Sequence, residues 1–252
     1  MPYFEKIVVV GTDALADGIA AAAEAAGCSV VRVADASDPG GAEDALRAAY
    51  LVVEAVAEDA TAKHDALRAI ASLAARTAVI ATTTATLSVT ELATAVPGPE
   101  RVAGLHFLHR TLDGAAVEVV RTDLVAPGVL ERLSAFVDEL GKVAVEVKDR
   151  PGFLLNRLLM PYLNDVVQAL DDGLASAEDL DVALRLGLGY RRGPLEMLDD
   201  IGLDAHEQAT DAAFAALQDR VFAAPPLLRT MVATGRTGGA SGSGFHDRKD
   251  HA

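Results

Sequence analysis

Short runs of β-branched residues alternate along the first half of the chain with longer stretches whose apolar positions recur every three or four residues. The short runs predict strands over Ile7–Val10, Val30–Val33, Leu51–Glu54, Ala78–Ala81, Val102–His106, Val117–Val120 and Val143–Val147. The longer spacing predicts helices between most of them, over Leu15–Ala26, Thr61–Ala74, Thr90–Ala95 and Gly128–Leu140. Such alternation implies an α/β domain with a mostly parallel sheet and helices on both faces. Arg32 interrupts the second strand, which is therefore not apolar throughout.

The pattern changes after Asp149. From Pro151 onward it is nearly all helical, with helices predicted over Phe153–Asp172, Ala177–Leu186, Pro194–Ile201 and Asp204–Gln218. Ser176 followed by Asp179 is a helix start. A domain boundary near residue 150 follows, with residues 1–150 forming the sheet domain and 151–252 the helical one. The tail GRTGGASGSGFHDRKDHA reads on composition alone as a flexible glycine/serine linker.

Composition narrows the partners. The 252 residues are 51% hydrophobic and 23% charged, and 37 acidic side chains against 22 basic ones give a net charge of −15. That balance argues against nucleic acid or an anionic membrane as the main partner. It leaves room for a phosphate-bearing cofactor, because local backbone N–H groups decide that binding. Cys28 is the single cysteine, so no intramolecular disulfide forms and the thiol is expected to be a small buried apolar residue. With no signal peptide and no apolar run of spanning length, a soluble cytoplasmic protein is expected, without a metal.

The first strand runs into a loop, GTDALA, where a dinucleotide fingerprint would read G-x-G-x-x-G. Gly11 is in place, Asp13 stands at the second glycine and Ala16 at the third. Alanine is an accepted variant at the third position. Aspartate adds a Cβ and a negative charge where the backbone would approach a pyrophosphate. Repulsion between unit charges at about 5 Å and an effective dielectric near 20 is roughly 3 kcal/mol before screening, or about a hundredfold in affinity. Asp13 also suits a structural role as the cap of the following helix, taking the N–H groups a phosphate would use.

From Ala85 onward, the segments ATLSVTELA, PERVAGLHF, VEVV, the long stretch GKVAVEVKDRPGFLLNRLLMPYLNDVVQALDDGLASAEDLDVALRLGLGY, GPLEMLDDIGLD and PPLLRTMVATGRTG, and then GSGF, follow one another in order. Together they resemble the (S)-3-hydroxyacyl-CoA dehydrogenases, including the bacterial 3-hydroxybutyryl-CoA dehydrogenases. The likeness covers nearly the whole chain and is strongest from 101 to 245. It implies a Rossmann-type domain followed by a helical domain that usually dimerises, NAD as cofactor, an acyl thioester as substrate and a place in fatty acid metabolism. It also turns the tail from a linker into the family's closing G-x-G-F segment.

The resemblance implies a site. His106 in GLHF matches the family's general base, Glu118 in AVEVV the glutamate that orients it, and Asn156 in GFLLNR the asparagine that positions the substrate's carbonyl side. In EAVAEDATAKHDAL, Ala55, Glu58 and Lys63 match residues lying along the nicotinamide half of the cofactor; with Gly11 they form the expected cofactor set. Glu58 and Asp59 equally suit a solvated helix start.

The departures fall elsewhere. Besides Asp13, Ala34 replaces the aspartate that holds the adenosine ribose, and Asp35 lies one residue late, which on a strand points to the other face. TTAT stands for NTSS, so Ala85 replaces a serine that touches substrate and cofactor, leaving Thr84 or Thr86 to supply a hydroxyl. HFLHR stands for HFFNP, with His109 and Arg110 in the changed positions. A helical excursion that helps clamp CoA is absent, and only ASDPGGAEDALRAAY connects two strands, enough for one short helix. Losses thus gather at the pyrophosphate, ribose and CoA grips, and retained positions gather near the reacting carbon. Three functions remain open: an NAD-dependent 3-hydroxyacyl-CoA dehydrogenase, expected from the family; a non-redox acid/base enzyme such as a lyase, isomerase or cyclase; and a non-catalytic binding protein.

Overall fold

The computed structural model describes residues 2–107, 114–239 and 241–246, and the chain divides into two compact units, Met1–Leu154 and Leu155–Ala252. The first is a Rossmann-type α/β unit and the second is all helical.

The first unit is built on seven strands: β1 (Lys6–Val10), β2 (Ser29–Val33), β3 (Leu51–Glu54), β4 (Val79–Thr82), β5 (Val102–Phe107), β6 (Ala116–Arg121) and β7 (Val143–Lys148). They lie in the order β2-β1-β3-β4-β5-β6-β7, and every pairing is parallel except β5 with β6. Alternation along β1 explains why both faces are covered. Ile7 and Val9 enter one core with α1 (Ala14–Ala25) and α5 (Pro127–Glu139). Val8 and Val10 enter the other, with α2 (Glu43–Ala48), α3 (Ala60–Leu73) and α4 (Val89–Thr94). A strand buried on both sides needs a continuous apolar run, and KIVVV supplies one. The edge strand β2 carries Arg32 outward to an ion pair with Asp17 of α1, a charged edge that resists further pairing.

Because β2 and β3 flank β1 on opposite sides, and the helices leading into them, α1 and α2, cover opposite faces, the strand order reverses at β1. Such a switch point opens a crevice at the carboxyl ends of the strands. Only α2 fills the connection between β2 and β3, as the short segment predicts. Cys28 is buried at the start of β2, and burial, followed by the charge of Glu139, pushes its thiol pKa up.

The second unit packs α6 (Leu155–Asp171), α7 (Ala177–Leu188), α8 (Pro194–Ile201), α9 (Leu203–Leu217) and α10 (Pro226–Ala233) around Leu163, Val167, Leu195, Leu198, Leu203 and Leu228. Ser176 caps α7 by accepting from the Asp179 N–H at 3.1 Å. Two outcomes differ from the sequence pattern. The helix expected from Phe153 starts at Leu155, because residues 151–154 form a turn with Phe153 at φ 48°. Helix α10 is not among the helices the pattern predicts; Pro226 sits in its first turn, where no N–H is needed.

The described part of the tail, up to His246, is not a free linker. Gly238 bridges to Ser243, and the N–H groups of Phe245 and His246 donate to Asp199 of α8 at 2.8 and 2.9 Å. No helix among the described residues is long and apolar enough to cross a membrane.

Candidate active site

Strands β5 and β6 set the central pair. Their antiparallel register places His106 directly opposite Glu118, and directly opposed residues share one face of a sheet. Both side chains are buried, at 2% and 0% exposure. His106 Nδ1 donates to Glu118 Oε2 at 2.5 Å. The other carboxylate oxygen, Oε1, accepts from the Leu154 N–H at 2.9 Å. That bond explains the late start of α6, since the chain before it is held in a turn against Glu118. The Phe153 ring lies 5.3 Å from the imidazole, centroid to centroid. With hydrogen on Nδ1, the neutral imidazole carries its basic lone pair on Nε2. An imidazole that gains a proton there finds an opposite charge already in place at Nδ1. This is the arrangement of a general base oriented by a carboxylate.

A second buried cluster lies at the ends of β3 and β4. Glu54, which closes β3, accepts from Lys63 Nζ at 2.9 Å, from the Val56 N–H at 2.8 Å and from Thr82 Oγ1 at 2.6 Å. Lys63, fully buried, also donates to the Val56 carbonyl at 3.2 Å and stands 3.8 Å from Glu58 Oε2. Glu58 Oε1 in turn accepts from Thr84 Oγ1, the Ala85 N–H, the Thr86 N–H and Thr86 Oγ1, all within 3.0 Å. Burial raises the Glu58 pKa, but the Lys63 charge and the bonds from Thr84 and Thr86 outweigh it and hold the carboxyl below its usual range. Glu58 therefore pins the TTAT loop, while Asp59 caps α3 by accepting from the Ala62 N–H at 2.9 Å. The hydroxyls of Thr84 and Thr86 are both donated to Glu58. Sequence reasoning missed Glu54 and Thr82. The available signal was a carboxylate ending an otherwise apolar strand, nine residues before a lysine.

The crevice at the switch point is open. A cleft of about 210 Å³ is lined by Gly11, Thr12, Asp13, Ala34, Ala55, Val56 and Ala57, the segments that follow β1, β2 and β3. Gly11 has φ 147°, and a Cβ there would come 2.1 Å from the Ala55 carbonyl oxygen, so only glycine lets the two turns approach. Its N–H donates to the Val33 carbonyl at 2.9 Å, and the Ala55 N–H donates to the Val10 carbonyl at 2.7 Å. This backbone cradle fits a dinucleotide. Asp13 caps α1, its Oδ1 accepting from the Ala16 N–H at 2.9 Å. Ala34 and Asp35 are exposed, and Asp35 Oδ1 is engaged by the N–H and hydroxyl of Ser37 at 2.8 and 2.7 Å.

The structure thus brings His106 to Glu118, Glu58 to Lys63 and Gly11 to Ala55. Asn156 stands in the first turn of α6, in the second unit. His109 and Arg110 lie outside the described residues.

A doubly covered sheet with a glycine turn at its switch point, a buried imidazole–carboxylate pair and an appended helical unit define a two-domain Rossmann-type protein. Family models place the chain further. The 3-hydroxyacyl-CoA dehydrogenase NAD-binding domain matches residues 40–150, and the C-terminal domain of the same family matches 152–248. The chain belongs to the 3-hydroxyacyl-CoA dehydrogenase family. It is 34% identical over 202 residues to a probable 3-hydroxybutyryl-CoA dehydrogenase of Bacillus subtilis, covering 80% of this chain and 70% of that protein. It is 39% identical over 200 residues to the mitochondrial hydroxyacyl-coenzyme A dehydrogenase of Sus scrofa, which is 79% of this chain and 64% of the relative's length. Among solved structures, FadB2 of M. tuberculosis superposes with a TM-score of 0.91 at 29% identity, covering 98% of this chain and 99% of that one. The matched NAD-binding segment begins at residue 40, beyond Gly11, Asp13 and Ala34.

Proposed function

We propose that the protein is an oxidoreductase that interconverts a 3-hydroxyacyl and a 3-ketoacyl thioester with NAD. The observation that carries this is the His106–Glu118 pair, set opposite each other on β5 and β6 and joined at 2.5 Å. NAD, when bound, accepts the hydride from C3. His106 Nε2 takes the 3-hydroxyl proton as the carbonyl forms, and returns it in the reverse direction. Glu118 keeps the ring in the tautomer that leaves Nε2 basic, and balances the charge the ring acquires.

Gly11 and Ala55 would hold the cofactor through the backbone cradle. Glu58 and Lys63 would shape its nicotinamide end by fixing the Thr84–Thr86 loop. Asn156 is assigned to the substrate's carbonyl side from its motif. The thioester is proposed from the family; the short connection around α2 offers little chain to grip a CoA tail. A second copy of this chain is the proposed partner, covering Leu158, Leu186 and Leu188, which expose 66%, 74% and 56% of their surface on the helical unit.

The test is NADH oxidation with acetoacetyl-CoA, followed by absorbance across a wide range of cofactor concentration. Turnover in the wild type that His106→Ala abolishes supports the assignment. No NADH consumption at any concentration would remove it.

A further inference from the structure

The cleft above Gly11 carries an anion of its own. A helix N-terminus attracts anions because its first N–H groups lack partners and its dipole is positive, and in dinucleotide folds the pyrophosphate sits there. Here Asp13, in extended conformation at the N-cap of α1, supplies a carboxylate to that end and accepts from the Ala16 N–H. The same residue lines the cleft beside Gly11, Thr12 and Ala34. We propose that Asp13 is the specificity-determining residue of this cleft: its carboxylate stands against a dinucleotide's pyrophosphate, so that intact NADH gains little over its phosphate-free nicotinamide riboside portion.

The proposal rests on the cofactor assignment above, and a second region of the cleft supports it independently. At the end of β2 the cleft is lined by Ala34 and not by Asp35. Ala34 presents a methyl group where β2 ends, and Asp35 is turned back onto Ser37, whose N–H and hydroxyl both bind its Oδ1. Pyrophosphate and adenosine are normally the handles by which such a cradle gains most of its grip. Here one meets a like charge and the other meets alanine. What remains intact is the Gly11–Ala55 approach and the Glu58-held loop assigned above to the nicotinamide end. Like-charge repulsion across about 5 Å at an effective dielectric near 20 accounts for roughly a hundredfold in affinity before salt screening.

The experiment is direct titration of the full chain, by nicotinamide fluorescence or calorimetry, with NADH and with reduced nicotinamide riboside at low and high salt. Asp13→Asn is compared with the wild type, because asparagine caps a helix as well as aspartate does but carries no charge. The wild type should bind the two ligands within about threefold of each other, and NADH more tightly as salt screens the repulsion. D13N should tighten NADH at least about tenfold, leave the riboside unchanged and keep the melting temperature. Asp13→Ala, which loses the cap, should also bind NADH more tightly but melt lower by about 2–4 °C. If the wild type binds NADH far more tightly than the riboside and D13N changes nothing, Asp13 is a cap alone and the cofactor assignment survives. If NADH binds neither protein, both the inference and the cofactor assignment fall.

Discussion

Two histidines are equally buried in this molecule, and they are built for opposite ends. His106, in the sheet unit, is 2% exposed and faces a carboxylate, Glu118. His206, in the helical unit, is 3% exposed and faces a neutral amide, its Nε2 donating to Asn164 Oδ1 at 3.0 Å. The Asn164 amide passes the chain on to Thr210 Oγ1 at 2.9 Å, and that hydroxyl donates to the Phe222 carbonyl at 2.7 Å. Nothing in that chain carries charge, and burial lowers the His206 pKa to about 4. Burial alone therefore says little about a histidine. The partner decides: an amide keeps the ring neutral and structural, whereas a carboxylate can balance the charge of a ring that takes up a proton.

The sharpest way to break this contrast is to remove each ring. His106→Ala should lower kcat for acetoacetyl-CoA reduction by about 10²–10⁴-fold with the fold retained by circular dichroism, and Glu118→Gln should reach the lower end of that range. Loss of activity no greater for these variants than for His206→Gln would erase the distinction.

The charged style of burial should also be the more brittle one. Lys63→Met leaves Glu54 and Glu58 without their cation in the interior, and should cost about 3–5 kcal/mol in denaturant unfolding. A cost below about 1 kcal/mol would show that the cluster is not held by its charges.

Acid should find the neutral style. The His206 pKa is lower in the folded chain than in the unfolded one, so the unfolded state binds the proton first as pH falls. Stability from this residue is fully present above about pH 6.5 and is lost progressively down to about pH 4, by roughly 3 kcal/mol in all. His206→Gln, which keeps a donor for Asn164 and does not titrate, should flatten that part of the stability–pH curve. The smallest and most pointed change converts one style into the other. Asn164→Asp gives His206 a carboxylate, and should reduce the stability lost between pH 7 and 5 by about 1 kcal/mol.

The pair proposed for catalysis was more legible in the sequence than the buried histidine of the helical unit. His106 and Glu118 stand out because the motifs around them, GLHF and AVEVV, are ordered as in the family. His206 lies in a helix of mixed character, where a polar residue facing inward and one facing outward look alike. The strands were legible because β1, β3 and β4 are runs of apolar residues, broken by a polar side chain only at an end. The start of α6 was not, because a contact from outside the helix, the Leu154 N–H on Glu118, overrides the local pattern. Glu54 and Thr82 escaped notice for a related reason. Their importance comes from Lys63, which reaches them only after the chain has turned from strand into helix. The glycine-rich tail misled on composition because its fixed partner, Asp199, is far away in sequence.

Cys28 gives the molecule a built-in clock. As the chain's one thiol, it sits beneath the sheet unit at the start of β2, buried and with its thiolate disfavoured. A thiol-reactive dye therefore labels it only when that unit opens, and the helical unit contributes no signal. The labelling rate, read with and without NADH, times the breathing of the sheet unit alone, in the native protein and with no engineered probe.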